Sequence, residues 1–232
     1  MDKFSDREDA GRQLAQALQH YAEEHPIVLG LPRGGVPVAF EVARALGAPL
    51  DVWVVRKVGA PWQPELGVGA VAEDDNVYLS HAMLAQLGLS EDRFADAIRA
   101  KHGEVEERVR KFRKEQRTPR LRDRTVILVD DGIATGGTVR AAIHSVRSHA
   151  PRRLVLAVPV AAQQTVAALE GEVDELVALK APDDLLAIGF WYDDFRQVPD
   201  EEVVRLLDRA RDELPAAEYR PSGGESHPRS SP

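Results

Sequence analysis

Apolar positions along the chain change their period several times, and each change marks an element. Ser5-Asp6-Arg7-Glu8 has the spacing of a capping box, and Ala10, Leu14, Ala17, Leu18 and Tyr21 recur at helical intervals. This predicts a helix from about Asp6 to Tyr21. Ile27–Leu31 is apolar, too short for a helix and bounded by Pro26 and Pro32, so it reads as a buried strand. Val36–Leu46 reads as a helix stopped at Gly47, and Leu50–Val55 as the next strand. From Lys57 to Glu73 the periodicity disappears among Gly59, Pro61, Pro64, Gly67 and Gly69, which reads as a long mobile loop. Charged, helical sequence then runs from Ser80 to about Lys114, with Ser90 as an N-cap before Phe94. It interrupts the strand–helix alternation and so reads as an insertion, covering about 80–118. Alternation resumes with a strand at Thr125–Val129, a helix at Thr138–His149, strands at Leu154–Val160 and Val173–Leu179, and a helix from Asp200 to Asp212. The result is an α/β fold: a twisted, mostly parallel sheet flanked by helices. Residues 1–214 are read as one domain. The Pro/Gly/Ser-rich tail, 215–232, is expected to be disordered.

Composition narrows the class. The 232 residues are 44% hydrophobic, enough for a sizeable core, and the longest apolar run, Leu154–Ala162, is half of the roughly 20 residues a membrane span requires. The polar N-terminus lacks the apolar stretch of a secretory signal, so a cytoplasmic location is expected. With no cysteine, disulfides, thiolate nucleophiles and Cys-based zinc sites are excluded together. The net charge of −8 conceals a basic stretch, Arg108–Arg124, with nine Lys/Arg against two acids. Such a stripe suits nucleic-acid phosphates, but a solvated helix end and connector is the simpler reading. His81, His102, His144 and His149 have no ligand spacing and read as surface residues.

The chemistry concentrates in Val126–Thr138. A buried strand delivers Asp130 and Asp131 at its C-terminal edge, where open α/β sheets bind ligands. The loop Gly132-Ile133-Ala134-Thr135-Gly136-Gly137-Thr138 then opens a helix. Glycines let backbone N–H groups turn inward, the threonines add hydroxyls, and the helix N-terminus adds a positive dipole; these are the parts of a phosphate cradle. Carboxylates repel phosphate, so the acids suit neighbouring sugar hydroxyls, directly or through hydrated Mg²⁺. A pentose 5-phosphate fits. The run is neither a P-loop nor G-x-G-x-x-G, and no G-x-S-x-G elbow exists.

This segment resembles the diphosphoribose-binding motif of the type I phosphoribosyltransferases, and the resemblance extends over roughly residues 1–200. It implies that Asp130 and Asp131 hold the ribose hydroxyls and that Ala134, Thr135, Gly136, Gly137 and Thr138 hold the 5-phosphate. Leu31-Pro32-Arg33-Gly34-Gly35 occupies the place of the family's pyrophosphate loop, often of unusual peptide geometry, with Arg33 as a charged fork. Arg56 and Lys57 stand where the family has a basic residue on the pyrophosphate, at the start of a mobile lid. Glu65 and Glu73, in or near it, read as solvated loop acids, either of which could handle a proton on the nucleophile. Gly189–Phe195, with four aromatics, resembles the hood of purine-type members. There Phe190 and Trp191 would stack on a base, and Asp193 would join Asp130 and Asp131 near Mg²⁺.

The implied reaction moves a phosphoribosyl group from phosphoribosyl diphosphate to a nitrogen acceptor, purine-like by preference, and releases pyrophosphate. The implied assembly is a homodimer. Ala134 departs from the Asp usual before Thr-Gly in 6-oxopurine enzymes. A regulatory sensor of the same ligand, possibly in contact with nucleic acid, is the second reading; pyrophosphate release separates the two. Reverse transfer from a nucleotide is a third.

Overall fold

The computed structural model describes residues 2–60, 62–73, 76–114 and 118–218. Helix α1 (Arg7–Ala17) starts where Asp6 accepts a 2.7 Å hydrogen bond from the Asp9 amide, satisfying a free N–H of the first turn. A 3₁₀ segment, Gln19–Glu24, leads into β1 (Ile27–Gly30), all four residues of which are buried. Helix α2 (Gly35–Leu46) returns the chain to β2 (Leu50–Val52). Further on, β6 (Thr125–Val129), α5 (Gly137–Ser148), β7 (Arg153–Val160), α6 (Gln163–Leu169), β8 (Glu175–Lys180) and α7 (Asp200–Glu213) complete the layers.

The five strands form one parallel sheet in the order β2-β1-β6-β7-β8. Strand β6 is central and fully buried, which is why it reads as an unbroken apolar run rather than an alternation. One core cluster lies between the sheet and α5, another between the sheet and α1/α2.

The segment 57–73 is not a loop. It forms a three-stranded antiparallel sheet of β3 (Val55–Ala60), β4 (Gln63–Ala72) and β5 (Val77–Leu79). Its register shifts at Val58/Gly59 and Gly59/Ala60, and those irregularities break the period-2 signal that would have marked the strands. Val58, Ala60 and Val68 are buried against the insertion. That insertion is helical, as expected, but is divided into α3 (His81–Leu87), capped by Ser80, and α4 (Ala95–Arg113). Ser90 precedes a 3₁₀ turn and makes no side-chain cap.

Arg113 anchors α4. Fully buried, it bonds Asp51 at 2.9 Å, the Val52 carbonyl at 2.6 Å, and Glu73. Glu73 also accepts from the Val54 amide at 2.9 Å. Glu73 is therefore committed to a buried ion cluster and is not a proton-handling residue of a lid. Burial pushes its carboxyl up to about 7 although Arg113 opposes the shift. The Glu65 side chain and residues 219–232 lie outside the described residues. His149 corrects the surface reading: it is buried, edge-on to Trp53 at 5.2 Å. Among the described residues no helix is long and apolar enough to cross a membrane.

Candidate functional site

Strands β1 and β6 pair with Gly30 opposite Val129, so the two loops that follow them leave the sheet side by side. The Leu31 amide donates to the Val129 carbonyl at 2.8 Å, which extends the pairing into the first loop. The Pro32–Arg33 peptide is cis, the unusual geometry that the resemblance implies. Gly34 sits directly against the acid pair: a Cβ there would lie 1.9 Å from Oδ2 of Asp131. Any side chain at 34 would have to push the Asp131 carboxylate aside, so glycine lets the two loops share one cleft with the acid in place.

Within the cleft the acids differ. The Asp131 amide donates to Oδ1 of Asp130 at 2.9 Å. Burial and the neighbouring Asp131 charge push the Asp130 carboxyl well above its ordinary range. Asp131 is also raised by burial, but Arg7 opposes the shift. Arg7, from the first turn of α1, places Nε and Nη2 each 2.8 Å from Oδ2 of Asp131. It also donates to the Arg196 carbonyl and lies 3.9 Å over the Phe195 ring. The Tyr192 hydroxyl, buried, donates to the Asp131 carbonyl at 2.6 Å.

Beyond the acids, Ala134, Thr135, Gly137 and Thr138 are exposed around the N-terminus of α5. The loop is braced from below. Thr165 donates to the Ala134 carbonyl at 2.6 Å, and Ile133 pairs with Ala161 beyond β7. Gly136 has φ +74, a left-handed value that tilts the chain into the helix. An exposed Gly/Thr turn at a helix N-terminus above a pinned base is an arrangement that could receive an anion.

Arg33 lies 3.7 Å from Asp200, and Arg56 is 3.6 Å from Glu104. Lys57 projects from β3 across Gly67, where a Cβ would meet its Cε at 2.6 Å. Phe190 is 62% exposed. Trp191 packs on the small cluster of Phe4, Ala10, Val160 and Tyr192. Asp193 is exposed, and among the described residues it does not join Asp130 and Asp131 in a three-carboxylate group. Among the described residues the basic stretch is partly committed: Arg113 is buried, Lys111 pairs with Asp200 at 2.7 Å, and Lys114 with Asp208 at 2.8 Å.

Sequence reasoning missed Arg7 and Tyr192. The first reads as an ordinary first-turn residue and the second as one of four aromatics. Their shared signal is long-range: residues 4–5 pair with 191–194 through Phe4 N to Trp191 O, Asp193 N to Phe4 O and Asp194 N to Ser5 O, each at 2.9 Å.

A family model described as the phosphoribosyl transferase domain matches residues 6–193. Two Mycobacterium tuberculosis proteins, from strains CDC 1551 and H37Rv, are provisionally named phosphoribosyl transferases. Each is 46% identical over 210 residues, which is 90% of this chain and 47% of theirs. The chain thus spans about half the length of the curated relatives it matches. Among solved structures, TT1426 from Thermus thermophilus is 43% identical, covers 88% of this chain and 97% of its own, and has a TM-score of 0.79. The matched span contains the glycine-spaced loop, the acid pair and the cradle, and on this match the chain belongs to the phosphoribosyl transferase family.

Proposed function

We propose that the chain transfers the phosphoribosyl group of phosphoribosyl diphosphate to a nitrogen acceptor and releases pyrophosphate. The observation that supports this most directly is the contact between Gly34 and Asp131, which fits a ligand with a diol next to a diphosphate. In this reading the exposed cradle at 134–138 receives the 5-phosphate, Asp130 and Asp131 accept from the 2- and 3-hydroxyls, and Arg33 with Arg56 and Lys57 faces the diphosphate. Positive charge that develops on the sugar as the anomeric bond lengthens is stabilised by the two preorganised carboxylates. Phe190 and Trp191 remain candidates for contact with a planar, purine-like acceptor.

The donor set suits Mg²⁺. Asp130 is a partly buried carboxyl that makes no ion pair among the described residues, and oxygen ligands match a hard divalent ion. One oxygen of Asp131 is already engaged by Arg7, so Asp130 would be the principal protein ligand. Bound there, Mg²⁺ would supply charge neutralisation for the leaving diphosphate.

A pyrophosphate-release screen with Mg²⁺ and adenine, guanine, hypoxanthine, xanthine, uracil and orotate tests the proposal. Release with one of these bases, lost in Asp130→Asn/Asp131→Asn, is expected. Binding of the sugar diphosphate without release from any of them would favour a sensor instead. A homodimer in a cytoplasmic setting completes the proposal, and sedimentation of the full chain tests the assembly.

A further inference from the structure

The helical insertion brings a third arginine to the pair expected on the diphosphate. Arg108 of α4 and Arg33 of the 31–35 loop point at the same atom, Oδ1 of Asp200, at 3.9 and 3.7 Å. Both separations are too long for hydrogen bonds, and this oxygen is buried without a hydrogen-bond partner. Asp200 instead gives its other oxygen to Lys111 at 2.7 Å.

Arg56 completes the group. Its Nε is buried without a hydrogen-bond partner, and its Glu104 neighbour is already bonded by Lys101 at 2.6 Å. Burial, with Arg108 and Arg33 as the like charges beside it, pushes the Arg56 guanidinium below its ordinary value. Among the described residues none of the three guanidinium groups donates a hydrogen bond. Each is only 27–28% exposed.

Three partly buried cations with unused donors, sharing carboxylates that are bonded elsewhere, are costly without an anion. Guanidinium forks match phosphate oxygens two at a time. Arg33 is followed by Gly34, which lies directly against Asp131, so the loop that carries Arg33 also borders the acid pair.

We propose that Arg108, supplied by the insertion, is a binding residue for the diphosphate group of the donor, joining Arg33 and Arg56 in one anion subsite. This rests on the phosphoribosyl-transfer reading above. It also gives the insertion a role that a solvated helix would not have.

The test is calorimetric titration of the full chain with inorganic pyrophosphate, phosphoribosyl diphosphate and ribose 5-phosphate. Arg108→Gln is expected to weaken the first two roughly ten- to hundredfold and to leave ribose 5-phosphate unchanged, since one charged hydrogen-bonding group is removed from the diphosphate end alone. Arg108→Lys should recover part of the loss, and Arg110→Gln, on the exposed side of α4, should lose nothing. Wild-type pyrophosphate affinity in Arg108→Gln would overturn the inference alone. An equal loss in Arg110→Gln would do the same, because it would signal bulk charge. Wild-type chain that binds neither pyrophosphate nor the sugar diphosphate would overturn the transfer reading along with it.

Discussion

Arg7 and Asp131 are 124 residues apart in sequence, and both Nε and Nη2 of the arginine sit 2.8 Å from the same carboxylate oxygen. The contact joins the first helical turn to the acid pair at the edge of the central strand. It also explains why two adjacent, partly buried carboxylates are tolerated there: one of them has a cation, which offsets part of the cost of withdrawing it from water.

Removing that cation has a predictable sign. Arg7 lowers the Asp131 titration against the upward push of burial. In Arg7→Gln the pair therefore holds its proton to higher pH. A protonated carboxyl is a poorer acceptor for sugar hydroxyls, so donor binding falls as pH drops through the raised titration. The acid limb of kcat/KM for phosphoribosyl diphosphate should move to higher pH, the direction expected on losing an adjacent opposite charge. A pH profile of Arg7→Gln that overlays the wild type would show that Arg7 does not control the acids.

The cleft glycines should separate binding from stability. Gly34→Ala puts a methyl 1.9 Å from Oδ2 of Asp131, so the carboxylate must swing away. An expected fall in kcat/KM of about 100-fold follows from displacing a site group by an ångström or more. Gly137→Ala meets nothing within 4 Å and keeps a helical position, so its melting temperature should hold or rise slightly. Because that methyl enters the cradle itself, ribose 5-phosphate affinity should still fall. Equal stability loss in both variants would contradict this picture.

How much of this was legible beforehand depends on the range of the interactions. The central strand, the acid pair and the glycine–threonine turn lie within thirteen consecutive residues, Val126–Thr138, and follow from burial and local backbone needs. The antiparallel sheet was hidden because Gly59 sits at a register shift and disrupts the alternation. Glu73 read as a loop acid because its partner, Arg113, arrives from 40 residues away. Helix α6 went unread; its seven residues span only two turns. Arg7 and Tyr192 reach the site through pairing of the chain start with the hood, which no local pattern encodes.

Glu73 makes a stability prediction of its own. Its carboxyl titrates near 7 in the folded chain against an ordinary 4.5, so the folded state binds more protons than the unfolded state between these values. The stability it contributes is full below about pH 4.5 and is lost as pH rises through about 7, by roughly 3 kcal/mol in total. Glu73→Gln cannot titrate and should lack this loss. Urea unfolding of both chains at pH 5 and pH 8 measures it: the wild type should lose ground to the variant at the higher pH. Parallel pH dependence of the two chains would mean that Arg113 keeps Glu73 ionised throughout.

Tyr192 and Phe190 are neighbours in the hood with opposite surroundings, and that contrast is testable. Tyr192→Phe keeps ring contacts with Phe4 and Phe195, at 5.4 and 4.8 Å, but loses the hydroxyl that donates to the Asp131 carbonyl. A buried acceptor left bare costs about 1–3 kcal/mol, so the melting temperature should fall by several degrees. Because that carbonyl belongs to the residue proposed to hold the ribose, KM for the sugar diphosphate should rise as well. Phe190→Ala removes a ring that is 62% exposed, and its stability should stay within about 0.5 kcal/mol of the wild type. If Phe190 stacks on the acceptor, its loss raises the acceptor KM alone and leaves the donor KM untouched. Steady-state kinetics with each substrate varied in turn separates the two effects. A Phe190→Ala enzyme with both KM values unchanged would remove this ring from the acceptor site and leave Trp191 as the remaining candidate.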